Sequence, residues 1–410
     1  MEFNVLIGMD WADQSHQISM RVAGSKEVER AELKQTPETI QEWVGDLRRR
    51  FGDCKIAVAL EQRRGALIYT LMKYEIFVIF PLNTTAVKNY RKALRASGAK
   101  DDVSDADLQL LFLENHMDQL RRWNPETVRT RKLSLLSESR RKLVDEATAV
   151  SNQITALLKE YYPIALLMVG NLTTLMACDF LTRWPNLAKL KRARAMHLQR
   201  FYALHNCRNS KAIEQRIGLA AGAQPLLEEN EMIEAYSLML SGRVTQMKAL
   251  LGCIAQMEEE IEETYKTHPD AEIYDSFPGA GRALAPRIAV ALGEDRTKFD
   301  SAVAILNLTG VAPVTIASGK VKRVAFRMAA PKFQRQTFIE FARVSVQHSR
   351  WARSDYQIYR KAGMSHQAAI RRIAYKWIRI IYRCWKDRTL YDETKYEVSR
   401  AIRANKIKAS

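Results

Sequence analysis

Residues 4–10 read Asn4-Val5-Leu6-Ile7-Gly8-Met9-Asp10, an apolar run that closes on a carboxylate. A second run, Lys55-Ile56-Ala57-Val58-Ala59-Leu60, closes on Glu61. Short runs rich in Val, Ile and Leu and bounded by polar residues predict buried strands. Working outward, the same reading gives strands over His16–Ala23, Val28–Lys34 and Ile76–Leu82. Pro37 opens an amphipathic helix that runs to about Phe51, a second helix covers Gly65–Lys73, and further helices follow from about Thr85. Proline is at home in a first helical turn, where its missing N–H is not needed. Three early strands on short links predict an antiparallel part, and strands alternating with helices predict a parallel part. The expected product is a mixed α/β sheet.

A mixed sheet of that kind is the ribonuclease-H-like arrangement, here expected over residues 1–125. Trp123-Asn124-Pro125 marks its end. Beyond it the apolar period becomes that of long helices. Leu136, Leu143, Ala147, Val150, Ile154 and Leu157 form one stripe; Leu240, Val244, Met247, Leu251, Ile254, Met257 and Ile261 form another. Two such stripes fit an antiparallel helical hairpin, a coiled-coil dimer arm or core helices of a bundle. Residues 126–267 are therefore expected to be a helical arm, with the segment 163–224 inserted between its helices. The basic cluster Lys189-Leu190-Lys191-Arg192-Ala193-Arg194 in that segment reads as a solvated face. From residue 268 to 410 a mainly helical domain is expected, with a short loop region around Ser318.

The chain has 410 residues, 47% of them apolar, and a formal net charge of +18. That length gives two or three domains with ample core. From Ile316 to Ser410 there are 23 Lys and Arg against 6 Asp and Glu, so a balance of +17 lies in the last quarter. Such a surplus favours a polyanion, and nucleic acid is the commonest. The segment is also rich in Trp, Tyr, Phe and Ile, unlike a disordered basic tail. Five scattered cysteines without a CxxC exclude a disulfide framework and a structural zinc site. No signal peptide is recognisable and no apolar run approaches the ~20 residues of a membrane span. A soluble, cytoplasmic protein is expected.

Asp10 and Glu61 close two strands of one predicted sheet. Asp102 and Asp105, in Lys100-Asp101-Asp102-Val103-Ser104-Asp105-Ala106, fall on one face of a predicted helix start. Hard oxygen donors at strand ends and a helix start suit magnesium, and two such ions can clamp both oxygens of a phosphoryl displacement. A turn residue at Asp10 and a helix cap at Asp102 are the plain alternatives. Near the C-terminus, His366–Lys386 is an amphipathic helix. Ile370, Ile373, Ala374, Trp377, Ile380, Ile381 and Cys384 form its apolar face, and Arg372, Lys376, Arg379, Arg383 and Lys386 form a cationic stripe. Such a helix packs one face on a core and lays the other along a phosphate backbone, which ranks above an anionic lipid surface.

In order, these residues resemble the DEDD transposases of the insertion-sequence one-ten family. The resemblance rests on Gly8-Met9-Asp10, on Ala59-Leu60-Glu61 with Gly65, and on Ser97-Gly98-Ala99-Lys100-Asp101-Asp102 with Asp105-Ala106. It continues through Phe277-Pro278-Gly279-Ala280-Gly281, Leu308-Thr309-Gly310-Val311-Ala312-Pro313 and Ser318-Gly319-Lys320. The chain departs from the family pattern in the longer gap after Glu61, in Asn83-Thr84 after the last strand, and in the length of 163–224.

The resemblance implies a RuvC-like N-terminal domain whose Asp10, Glu61, Asp102 and Asp105 hold Mg2+. It also implies a C-terminal transposase domain whose Ser318 is the nucleophile. A transposase of this kind exchanges DNA strands through a phosphoserine and is guided by a structured non-coding (bridge) RNA that pairs with donor and target DNA. It works as a homodimer that assembles into a tetrameric synapse. Gly279, Gly281, Lys320, Lys322, Arg323, Arg372, Lys376, Arg379 and Arg383 are the expected nucleic-acid contacts. Serine needs activation to attack, and the nearby Lys320, Lys322 and Arg323 would neutralise charge on the phosphoryl oxygens. Two other readings stay open: a Holliday-junction-type nuclease using only the carboxylates, and a non-catalytic nucleic-acid-binding protein whose Pro-Gly-Ala-Gly turn grips phosphates through its amides.

Overall fold

A computed structural model describes residues 3–62, 64–94, 105–318 and 321–398, with Ser318 and Val321 as backbone only. The chain divides into two compact units at Pro125 and Glu126. The first is built on five strands, β1 (Val5–Asp10), β2 (Ser15–Val22), β3 (Glu29–Lys34), β4 (Ile56–Leu60) and β5 (Phe77–Pro81). Their order is β3-β2-β1-β4-β5. The pairs β3–β2 and β2–β1 are antiparallel; β1–β4 and β4–β5 are parallel. The mixed sheet expected from the apolar runs is thus present. Helix α1 (Pro37–Phe51) starts on the Thr36 cap, whose hydroxyl accepts from the Thr39 N–H, and stops at Gly52, whose φ of 65° favours glycine. Helices α2 (Ala66–Leu71), α3 (Thr84–Leu94) and α4 (Asp105–His116) complete the unit.

The two faces of β1 and β4 differ, and that difference positions α4. Val5, Ile7 and Met9, with Ile56, Val58 and Leu60, pack with Ile40, Val44 and Leu47 of α1 and Leu67, Ile68 and Leu71 of α2. The other face carries Leu6, Ala57 and Ala59, packed with Leu110 and Leu113 of α4. Gly8 lies directly beneath α4: a methyl group on it would strike the Ala106 carbonyl and the Leu110 backbone. Small residues on this face let the helix sit against the sheet.

The second unit is organised by α5 (Val128–Tyr161) and α11 (Asn230–Lys266), which run antiparallel. Arg129 donates to the Thr267 carbonyl, Arg140 reaches Glu258, and Tyr161 stacks on Tyr236 at 5.1 Å. The two apolar stripes meet within one chain. Their far ends share a core with α6 (Ile164–Val169), α7 (Leu175–Arg183), α8 (Leu187–Lys191), α9 (Ala195–Leu204) and α10 (Ser210–Gly222), so the 163–224 segment is a cap of short helices. Their near ends, through Leu133, Ile261 and Tyr265, join the C-terminal core. That core comprises α12 (Ala271–Asp275), α13 (Gly281–Leu292), α14 (Ala302–Leu308), α15 (Lys332–His348), α16 (Arg350–Lys361) and α17 (His366–Asp387). Fully buried Trp377 anchors α17, donating to Ser345 Oγ at 2.7 Å. Where a loop was expected around Ser318, the chain forms a hairpin, β6 (Val314–Ser318) with β7 (Val321–Ala325). Alternation in Val314-Thr315-Ile316 and Val321-Lys322-Arg323-Val324 is too short to rise above the surrounding helical pattern.

Candidate functional site

In the first unit the parallel register of β1 on β4 pairs Val5 with Ile56 and Gly8 with Ala59. Continued two steps, it sets Asp10 beside Glu61 at the carboxyl ends of neighbouring strands. Parallel neighbours end on the same side of the sheet, so two local features of the sequence become one site. His16 holds the turn beyond Asp10: its Nδ1 accepts from the Ala12 N–H and its Nε2 bonds the Gln35 side chain. Helix α4 brings the third carboxylate. Asp105 is its first residue, next to the Ala106 that lies over Gly8. One turn on, buried Gln109, with its amide nitrogen toward the sheet, donates to the Met9 carbonyl at 2.6 Å and the Ala59 carbonyl at 3.2 Å. This fastens α4 to both strands just before their carboxylates. Asp102 lies outside the described residues.

Burial pushes the carboxyl of Asp10 above the usual carboxylate range, while the charges of Arg91 and His16 pull it down. Burial, then the charge of Asp10, push Glu61 up, and Arg91 opposes them. Arg91 on α3 forms an ion pair with Asp105. A guanidinium therefore already stands among these carboxylates, and the donor set is one that answers to a cation. Among the described residues, no three acidic, histidine or cysteine side chains lie close enough together to hold one metal ion. Arg91 and Gln109 went unnoticed in the sequence. Each is one polar residue on a helix, and nothing local marks which way it faces.

In the second unit, Ser318 ends β6, and its backbone pairs with that of Val321 at the start of β7. Its side chain, Gly319 and Lys320 lie outside the described residues. Lys322 and Arg323 on β7 are exposed. Arg335 secures the exit of the hairpin, donating to the carbonyls of Arg327 at 2.7 Å and Met328 at 2.9 Å. Gly279 and Gly281 bound the turn between α12 and α13 with φ of 85° and 51°. Gly279 packs on Val344 and His348 of α15, whereas Gly281 opens α13 toward free space. On α17, Arg372, Arg379 and Arg383 are exposed. Arg372 lies over the Tyr359 ring at 5.2 Å, and Arg383 pairs with Asp387 on its own helix. Lys376 turns inward to Asp355, a carboxylate only 3% exposed, so the outward stripe runs through Arg372, Arg379, Arg383 and Lys386.

These features coincide with family resemblances at both ends of the chain. A DEDD transposase model of the IS110 type matches residues 7–163, which hold Asp10, Glu61 and Asp105. The model described as "Transposase IS116/IS110/IS902 family" matches residues 271–357, which hold the Pro-Gly-Ala-Gly turn and the Ser318 hairpin. The chain belongs to the IS110 family of insertion-sequence transposases. The transposase is 26% identical over 401 residues to the mini-circle protein for IS117 of Streptomyces coelicolor, covering 95% of this chain and 96% of the relative. It is 24% identical over 399 residues to a 43.6 kDa protein of insertion element IS110 from the same organism, with the same coverage. A 42 kDa protein of IS900 from Mycobacterium paratuberculosis is 25% identical over 219 residues, 52% of this chain and 54% of its own. Membership implies DNA as a partner and transposition as the activity. No helix among the described residues is long and apolar enough to cross a membrane.

Proposed function

We propose that the transposase is a magnesium-dependent recombinase that exchanges DNA strands through a phosphoserine at Ser318, guided by a structured non-coding RNA. In this reading residues 1–125 are a RuvC-like, ribonuclease-H-like domain. Residues 126–267 are the helical arm with its inserted cap, and residues 268–410 carry the nucleophile. The observation that supports it most is the pairing of Asp10 and Glu61 at adjacent strand ends, with α4 set on Gly8 so that Asp105 starts beside them. The strand order, antiparallel then parallel, favours the ribonuclease-H-like assignment.

Asp10, Glu61, Asp102 and Asp105 would hold the ion, which supplies positive charge to phosphate oxygens and favours the attacking oxygen. The Ser318 Oγ attacks the scissile phosphorus. The Oγ–P bond forms as the P–O bond to the departing strand breaks, and the hydroxyl proton is passed on to the departing oxygen. A hydroxyl of the exchange partner then reverses the step, so phosphodiester bonds are conserved and no external energy source is required. Lys320, Lys322 and Arg323 neutralise the developing phosphoryl charge. Gly281 offers the amides at the start of α13, and Gly279 the close turn before it, to a backbone phosphate. The +17 balance of residues 316–410 suits RNA and DNA together. Homodimers meeting in a tetrameric synapse would let one protomer's acidic domain serve another's serine.

The test is Ser318→Ala, assayed with guide RNA and donor and target DNA. The expected variant binds both nucleic acids as the parent does and gives no covalent protein–DNA product. An adduct mapping to another residue, or continued recombination, transfers the reading to a nuclease that uses only the carboxylates.

A further inference from the structure

The acidic centre contains its own cation. Arg91 projects from the last turn of α3, 41% exposed, and pairs with Asp105. The same charge bears on Asp10 and on Glu61, where it opposes the effect of burial. One guanidinium therefore answers three carboxylates carried by three different elements. Asp10 and Glu61 are like charges at adjacent strand ends and partly withdrawn from water, an arrangement that a nearby positive charge stabilises in its ionised form. Meanwhile no three acidic side chains of the described residues lie close enough to bind one ion. Asp105 is engaged by Arg91, and a divalent cation brought among these carboxylates would face a full positive charge at short range.

We propose that Arg91 is a resident counter-ion of the acidic centre, which a divalent cation must displace from Asp105 in order to bind. The proposal rests on the reading of this centre as a metal site. Without metal, the guanidinium balances the charge of the acidic centre. Metal loading exchanges one cation for another and frees Asp105 to turn toward Asp10 and Glu61. An arginine suits this role because it stays charged at any working pH and its planar fork can face several carboxylates at once. Arg91 thus acts as a positioning residue, setting how much divalent cation the centre requires.

The experiment is a Mn2+ titration of the full-length protein without nucleic acid, followed by calorimetry and by the Mn2+ spin-resonance signal. Asp10→Asn should abolish binding. Arg91→Gln should tighten Mn2+ binding about tenfold, a difference of ~1.4 kcal/mol. It should also lower the Tm of the metal-free protein, with the gap to the parent closing at saturating Mn2+. Arg91→Lys, which keeps the charge, should restore parent-like weak binding; a merely structural role for Arg91 would not distinguish Lys from Gln in this way. Binding that Asp10→Asn abolishes but that Arg91→Gln leaves unchanged or weakens overturns the proposal and leaves the metal reading standing. Absence of Asp10-dependent binding in every variant overturns the metal reading and the proposal together.

Discussion

The two candidate reactive centres stand on opposite kinds of scaffold. Asp10 and Glu61 end strands whose residues are almost wholly buried, with Val5, Ile7, Met9, Val58 and Ala59 at 0% exposure. Ser318 ends a two-stranded hairpin on which Ile316 is 41% and Val324 69% exposed. Close-packed interiors transmit small changes in volume, so the carboxylates are placed by the core behind them. A two-stranded hairpin is marginal in water by itself and is placed by its root, here by Arg335. One centre is therefore sensitive to packing and the other to a few hydrogen bonds. Four experiments press on that difference.

Gly8→Val should have the largest effect. The added side chain meets the backbone of α4 rather than a flexible side chain, so the helix must shift. Overpacking of this kind costs roughly 3 kcal/mol, and it moves Asp105 away from Asp10. Strand exchange should vanish and the first unit should unfold at lower temperature. Parent-like activity in Gly8→Val would show that α4 does not set the acidic centre.

Glu294 supplies a control in the scaffold of the second unit. Burial pushes its carboxyl up, but hydrogen bonds from Thr127, Thr130 and Arg129 outweigh that and hold it at about 2. A depressed carboxylate stabilises the fold above its unfolded value and loses that contribution as the pH falls through the folded value. Stability should therefore drop between pH 4.5 and about 2. Glu294→Gln should cost about 1.5–3 kcal/mol at neutral pH, as for hydrogen bonds to a charged group, and should flatten that acid dependence. Denaturant melts across this range decide it. Mn2+ binding at the acidic centre should stay unchanged.

Arg335→Ala should act locally. Hydrogen exchange of residues 314–318 and 321–328 should speed up about tenfold, with little change in global Tm. Strand exchange should fall, while Mn2+ binding is retained. Loss of Mn2+ binding in this variant would break the separation between the two centres.

The smallest effect is expected from reversing Arg372, Arg379 and Arg383 to Glu. These side chains face outward on α17 while Trp377 and its neighbours hold the helix, so the fold should survive. The slope of log affinity against log salt should shrink by about three, near one per lost phosphate contact. An unchanged slope identifies the stripe as a solvated face.

Much of this was legible in the chain before folding. Apolar runs ending in Asp10 and Glu61 gave the central strands, and the period change after Pro125 gave the long helices α5 and α11. The apolar face of α17 was read correctly and proved wider, since Ile378 and Trp385 are also buried. The chain around Ser318 reads as a short loop region, with a Ser-Gly turn on a basic hairpin as the plain alternative to a nucleophile, because an exposed pair of five-residue strands has no buried face to impose a period of two.

What the sequence determined by itself is what repeats along the chain. Alternation and 3.6-residue periodicity are local, because a strand or a helix presents its faces at fixed intervals whatever it meets. Those intervals placed each carboxylate at a strand end or helix start and each arginine of the stripe on one face of α17. Only the tertiary structure decided which of these groups met. The parallel register joined Asp10 to Glu61, the absent side chain of Gly8 admitted α4, Arg91 was turned to Asp105, and Lys376 was drawn from the stripe to Asp355. These pairings join elements distant in sequence. A charge near a carboxylate is worth little in water and far more where burial removes its solvation, and burial at a given side chain is a property of the packed elements together.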